Sequence, residues 1–172
     1  MAAPQRTATR LIIFLPSSFM PNHTANTLEI IGDQKIIDKC VKAIQTPKAL
    51  AKKERLRHID FRQIVPMPPV IFVGDLSSND KEANPNRNWY DWNIQNWGTK
   101  WNAYGTEDQG DNCLYFETAW SSPVPVLEAL SWLFPELRFE MRSTDEGGYF
   151  DTEFVFEKGE IVSETEHATD ED

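Results

Sequence analysis

WYDWNIQNWGTKWNAYG, Trp89–Gly105, holds four of the six tryptophans and two of the four tyrosines of this 172-residue chain. At helical spacing Tyr90, Ile94, Trp97, Trp101 and Tyr104 follow one another at steps of four, three, four and three, which makes one apolar stripe. Gly98 and Thr99 interrupt that stripe with residues that favour a helix stop. The expectation is a short helix capped by Asn86 or Asn88 and ending near Trp97, a turn at Gly98, and a strand beyond it. A buried indole removes about 150–250 Å² from water. The segment therefore reads as the plug of the core in preference to a ligand-stacking aromatic cage.

Downstream, CLYFETAW at Cys113–Trp120 alternates Leu114, Phe116 and Thr118 against Cys113, Tyr115 and Glu117, the period of a strand. Ser122-Pro123 then opens a helix, with Ser122 as cap and Val126, Leu127, Leu130, Leu133 and Phe134 on its buried face. Leu137, Phe139 and Met141 alternate with charged residues as a further strand. Asp145-Glu146-Gly147-Gly148 turns that strand into a final one, Tyr149–Phe156, with Phe150, Thr152, Phe154 and Phe156 inward. At most a little edge strand follows at Ile161-Val162.

Upstream, Leu28, Ile30 and Ile31 predict a short strand. Asp33 caps a helix over about 34–44 that buries Ile36, Ile37, Cys40, Val41 and Ile44. Lys48–Arg57 is left as a helical turn or a loop. HIDFRQIVP, His58–Pro66, alternates as an extended segment, and the Pro-, Asn- and Ser-rich residues after it form a long excursion. Helices between strands, closed by a hairpin, predict an α+β fold with helices on one face of a mostly antiparallel sheet. The expected core is Leu28, Ile30, Ile37, Val41, Phe61, Trp97, Trp101, Leu114, Phe116, Leu127, Leu130, Phe139 and Phe154.

Composition bounds the function classes. No apolar run approaches the roughly 18 residues of a bilayer span, and Leu11–Leu15 before Pro16 is shorter than a signal-peptide core. A cytoplasmic protein that makes no membrane contact is expected. Cys40 and Cys113 are far apart and carry no metal-ligand spacing, so both read as reduced, buried thiols. Residues 1–62 carry a balance of +6 and residues 63–172 one of −16, within a net charge of −10. The basic excess sits in Lys35, Lys39, Lys42, Lys48, Lys52, Lys53, Arg55, Arg57 and Arg62. Such polarity either steers partners or simply solvates two faces.

Four blocks occur in order: MPNH with N.L.I.G over Met20–Gly32, DF..IVPMP at Asp60–Pro68, W..W.I.NWGTKWNAY at Trp89–Tyr104, and L.F.TAW..P.PV..AL...FP at Leu114–Pro135. Together they resemble the YubB-like ferredoxin-like domain proteins of bacterial plasmids and phages. The resemblance implies a ferredoxin-like sandwich without an iron–sulfur cluster and without an assigned enzymatic activity. The resemblance covers about Met20–Phe150, so the chain is expected to divide into a weakly ordered extension over 1–21, the domain over 22–158, and a tail over 159–172 whose acidic composition reads as disordered. Its motif residues Trp89, Asn96, Trp97, Gly98, Thr99, Lys100, Trp101 and Asn102 read as structural. Asp151 stands where the family's closing hairpin carries a glycine.

Chemistry is sparse. His23, His58 and His167 have no ligand spacing with one another or with cysteine. No phosphate-binding loop or nucleophile elbow occurs. Neither a cofactor, a metal nor a catalytic residue is assigned, and the sequence leans away from an enzyme. Lys100, between two tryptophans, reads as a snorkelling or cation–π side chain. Two binding classes stay open. One is a non-enzymatic accessory protein of a phage or plasmid in its bacterial host, with counter-defence among its roles. It would engage a host or defence protein through Glu136, Glu140, Asp145, Glu146, Asp151 and Glu153. The other is a nucleic-acid-binding accessory protein that uses the basic region Lys35–Arg62.

Overall fold

The computed structural model describes residues 22–169; the extension expected over 1–21 lies outside the described residues. The elements in order are β1 (His23–Ile31), α1 (Gln34–Ile44), α2 (Lys48–Ala51), α3 (Phe61–Ile64), α4 (Ser78–Ala83), α5 (Trp89–Trp97), β2 (Tyr104–Gly110), β3 (Cys113–Ala119), α6 (Val124–Leu133), β4 (Arg138–Asp145), β5 (Asp151–Glu157) and β6 (Glu160–Glu166). The strands form one antiparallel sheet in the order β2-β3-β1-β4-β5-β6. The first four of these strands, with crossovers through α1 and α6, have the order of a ferredoxin-like domain. β5 and β6 continue the sheet from β4 as a meander. The α+β expectation holds.

One face of the sheet carries the core. Register pairs Leu28 with Leu114 and Met141, Ile30 with Phe139, and then Met141 with Phe154 and Phe139 with Phe156. All of these are buried, and they join Ile37, Cys40 and Ile44 of α1, Phe61 and Ile64 of α3, and Val126, Leu127 and Leu130 of α6 in one cluster. Toward the end of the sheet that holds the N-terminus of β1, this inward row turns polar. Asn26 Nδ2 donates to Thr24 O, Phe116 O and Thr118 Oγ1, and its Oδ1 accepts from Ser143 Oγ at 2.7 Å. A buried amide satisfied on both sides locks the register of three strands.

The helix at the quoted stretch forms as expected. Asn88 Oδ1 accepts from Asp91 N, and Gly98 closes the helix at φ +75°, donating its N–H to Ile94 O. A side chain at 98 would come within 2.8 Å of Pro125 Cδ, so the turn is reserved for glycine. The buried side, however, is Trp92, Asn93 and Trp97; Ile94 is exposed and Trp101 lies at the surface, 38% exposed. The single stripe fails because the helix stops at Trp97, so residues beyond Gly98 no longer share its face. Trp97 packs edge-on against Phe61 and Trp92, and its Nε1 donates to Val65 O at 2.9 Å.

Further expectations are corrected. β1 is a full nine-residue strand rather than a short one. His58–Pro66 is not extended: Asp60 accepts from Arg62 N and caps the helical turn α3, which buries Phe61 and Ile64. Ser122 does not cap α6; Pro123 occupies the cap position with no side-chain bond. β5 is not the last strand, because residues 160–166 of the supposed disordered tail form β6. Backbone pairing to β5 holds this polar edge strand, and burial has little part in it. Gly159 N donates to Ser131 Oγ, tying the β5–β6 turn to α6.

Candidate functional site

Among the described residues, the helices leave the other face of the sheet open. Antiparallel register lays three rows of side chains across it. One row is Tyr104, Glu117, Ala25, Thr144 and Asp151; the next is Glu107, Tyr115, Thr27, Arg142, Glu153 and Thr165; the third is Cys113, Glu29, Glu140, Val155 and Ser163. A shallow hollow of about 220 Å³ on this face is lined by Thr27, Glu29, Cys113, Glu140, Met141, Arg142 and Glu153.

Two arginines neutralise part of the acid. Arg138 bridges Glu140 at 2.7 Å and Glu157 at 3.0 Å. Arg142 grips Asp151 with two nitrogens at 2.9 and 2.7 Å, and this pairing holds the Asp151 carboxyl below the ordinary carboxylate range. Tyr115 Oη donates to Glu117 at 3.1 Å; burial, then the neighbouring Glu117 charge, pushes the phenol up. Among the described residues, Glu29, Glu107 and Glu117 have no ion-pair partner, and Glu153 meets the His167 ring at 3.3 Å and faces Arg142 across the strand pair.

The six acids named from sequence do not form one patch. Glu140, Asp151 and Glu153 share the open face. Asp145 points to the buried side and accepts from Gly147 N at 2.7 Å. Glu146 accepts from His23 N in the turn, and Glu136 is exposed between α6 and β4. Strand alternation explains the split: residues of odd and even number on β4 face opposite ways. Of the acids missed in the sequence, Glu29 and Glu117 were signalled by their alternation with buried neighbours, whereas Glu107 lies on β2, which has no buried residue to signal it.

The basic region divides too. Arg62 clamps the buried Asp60 and reaches Glu54, while Arg57 Nε donates to Ala103 O; both are fastened to the fold. Lys35, Lys39, Lys42, Lys48, Lys52, Lys53 and Arg55 are exposed. The tryptophan motif is largely architecture. Trp89 Nε1 donates to Gly74 O, Asn96 Nδ2 to Trp92 O, and Asn102 Nδ2 to Asp60 Oδ1. Asn102 Oδ1 accepts from the backbone N–H of Phe61 and Ala103. Thr99 Oγ1 donates to Ala119 O and accepts from Ala119 N. Lys100 Nζ lies 4.6 Å from the Trp101 ring and 4.7 Å from the Trp120 ring.

Both cysteines are free. Burial pushes the Cys40 thiol up to about 12, which makes it inert, and Cys113 is only half-buried, on the open face. Among the described residues, no group of three or more His, Cys, Asp and Glu converges to hold a metal ion. No helix among them is long and apolar enough to cross a membrane.

Comparison with curated proteins finds no match. A crystal structure of a protein api92 from Yersinia pseudotuberculosis is similar, at 16% sequence identity and a TM-score of 0.49. The similarity covers 63% of this chain and 39% of that one, so the chain spans well under half of the api92 length. Residues 97–172, which run from Trp97 at the end of α5 through β6, match the family model of the ferredoxin-like domain in Api92-like protein.

Proposed function

We propose that this protein is a non-enzymatic binding module that offers the open face of its sheet to a basic partner protein. The observation that carries this reading is a six-stranded sheet that, among the described residues, is covered by helices on one side only. Among the described residues, its other side displays Glu29, Glu107 and Glu117 without an ion-pair partner, and Glu29 lines a shallow hollow there. An uncovered acidic sheet attracts and orients a cationic surface, and its flatness suits a protein better than a small molecule. The accessory role of a plasmid or phage gene, with a host or defence protein as partner inside the cell, belongs to the same proposal and rests on the sequence resemblance.

The test is affinity purification from the natural host with the wild-type chain and with Glu29→Lys/Glu153→Lys, followed by a plaque or conjugation assay. Neither position is a hydrogen-bonding partner of Arg138 or Arg142, so the pairs with Glu140, Glu157 and Asp151 keep both their members. Loss of one defined partner, with unchanged melting and altered mobile-element fitness, is the expected result. An identical partner set and identical fitness would remove the acidic-face reading.

Nucleic-acid binding is the second reading. It is favoured by Lys35, Lys39 and Lys42 along the exposed side of α1, continued by Lys48, Lys52 and Lys53, with no ion pair to these lysines among the described residues. It requires binding that falls steeply as salt rises. Absence of salt-sensitive binding to DNA or RNA at low ionic strength would eliminate it.

A further inference from the structure

We propose that the indoles of Trp101 and Trp120 form a slot for a lysine or arginine side chain of a basic partner, and that Lys100 fills this slot from within until the partner displaces it. The inference rests on the acidic-face reading and names the contact at one end of that face. Lys100 Nζ stands 4.6 and 4.7 Å from the two ring centroids, inside the range at which an indole attracts a cation. The slot's affinity for an ammonium group is thus already on display.

The slot is built. Trp120 is 38% exposed and holds a left-handed backbone, φ +73°, which a bulky side chain rarely adopts. Strain of this kind persists only where the surroundings impose it. They do so through Trp120 N, which donates to Asn22 O, through Thr99 Oγ1, which exchanges two hydrogen bonds with Ala119, and through Ser121 Oγ, which donates to Gly98 O at 2.6 Å. These bonds fasten the backbone before Lys100 to the backbone on either side of Trp120. An aromatic plug would have put both rings inside; instead the chain holds them at the surface.

The surroundings favour a cation over a nucleobase or phosphate. Tyr104 meets the Trp101 ring edge-on with centroids 6.4 Å apart. Glu117 stands opposite Tyr104 in the β2–β3 register, and Glu146 accepts from the backbone of His23, whose ring bonds the Tyr104 hydroxyl at 2.7 Å, so both carboxylates lie near Tyr104. Once Lys100 swings out, a phosphate would meet two carboxylates near the rim, whereas an ammonium or guanidinium would meet the two rings Lys100 vacates. Lys100 has no carboxylate partner among the described residues, so only the rings retain it, and its flexible stem lets it leave.

The test follows the indole N–H resonances of the ¹⁵N-labelled full chain during titration with tetramethylammonium, an oligo-lysine peptide and an oligothymidylate, with sodium holding ionic strength constant. Tetramethylammonium and oligo-lysine are expected to move the Trp101 and Trp120 resonances and to leave Trp92 and Trp97 in place. Lys100→Met removes the internal competitor and tightens both by about threefold, the factor one exposed cation–π contact supplies. Trp101→Ala and Trp120→Ala abolish the response; Trp101→Phe and Trp120→Phe retain part of it should an alanine variant fail to fold. Static indole resonances in both the wild type and Lys100→Met would overturn the slot. Weaker binding by Lys100→Met, with oligothymidylate moving the same resonances, would overturn it in favour of a base-stacking platform. Oligo-lysine binding lost in Glu29→Lys/Glu153→Lys but unchanged by the tryptophan variants would overturn the slot and leave the acidic face standing. Tetramethylammonium binding retained in that charge-reversed chain, with oligo-lysine unaffected by the reversal, would leave the slot standing without the face.

Discussion

Asp60 shows how much one side chain can hold. Its carboxylate is fully buried and accepts from Arg62, from Asn102 Nδ2 at 2.7 Å and from Thr46 Oγ1 at 3.2 Å. It thereby joins the loop after α1, α3 and the tryptophan motif. Burial pushes its pKa up, but the Arg62 and Asn102 hydrogen bonds and the Arg62 charge outweigh it and hold the carboxyl below its ordinary value. A depressed folded-state pKa means the stabilisation is whole above the unfolded value of about 3.9 and is lost as pH falls through the folded value. Asp60→Ala is expected to cost about 2–4 kcal/mol at neutral pH, because Arg62 and Asn102 lose their acceptor. The gap between variant and wild type in thermal melts should close below about pH 4. A gap that persists undiminished into acid would show that the carboxylate charge is not what matters. Trp97, 3% exposed, is the apolar counterpart. Trp97→Ala should cost about 3–5 kcal/mol in denaturant unfolding, and near-wild-type stability would deny it a place in the core.

At the scale of elements, two boundaries carry the architecture. Gly98 ends α5 and lies against Pro125 near the start of α6, so the left-handed turn and the helix contact depend on one missing side chain. Gly98→Ala should destabilise by more than about 1 kcal/mol, since neither the positive φ nor the 2.8 Å approach tolerates a methyl group. A stable variant would mean that α6 shifts to make room, which chemical-shift changes along α6 would reveal. β6 is the second boundary. Trimming the chain after Lys158 exposes the edge of β5, which contributes Phe154 and Phe156 to the core. Faster amide exchange along β5 and a lower melting temperature are expected. Unchanged exchange would return the last strand to the status of a dispensable tail.

For the whole molecule, the division of charge follows the division of layers. The exposed lysines lie on α1 and the α2 loop in the helical layer, while Glu29, Glu107 and Glu117 lie on the bare side of the sheet. A net charge of −10 then acts as two opposed fields more than as one uniform one. Binding of a basic protein to the sheet should weaken as ionic strength rises from about 0.01 to 0.15 M, where the screening length shrinks from about 30 to 8 Å. The measurement is an association rate by stopped flow or surface binding. A rate indifferent to salt would mean that the carboxylates only solvate the face.

Local chemistry settled what was legible in the sequence. Asp33 before α1, Asn88 before α5 and Gly98 after it are backbone signals that act within one turn, and each formed where its residue type required. The alternation on β3 and β4 assigned inside and outside correctly, because a strand has no other way to bury Leu114, Phe116, Phe139 and Met141. Tertiary structure decided the rest. Asp60 became a helix cap because Arg62 and Asn102, one of them more than forty residues away, converge on it. Residues 160–166 became a strand because β5 offered an unpaired edge, which composition does not record. The six acids parted because Glu140 and Asp145 face opposite ways on a pleated strand, while Glu136 and Glu146 fall in turns beyond it. Lys100 met Trp101 and Trp120 only because Thr99 and Ser121 join two loops that the sequence separates by some twenty residues. Short-range sterics and hydrogen bonding are written in neighbouring residues, whereas a site assembled from distant strands exists only once the sheet has closed.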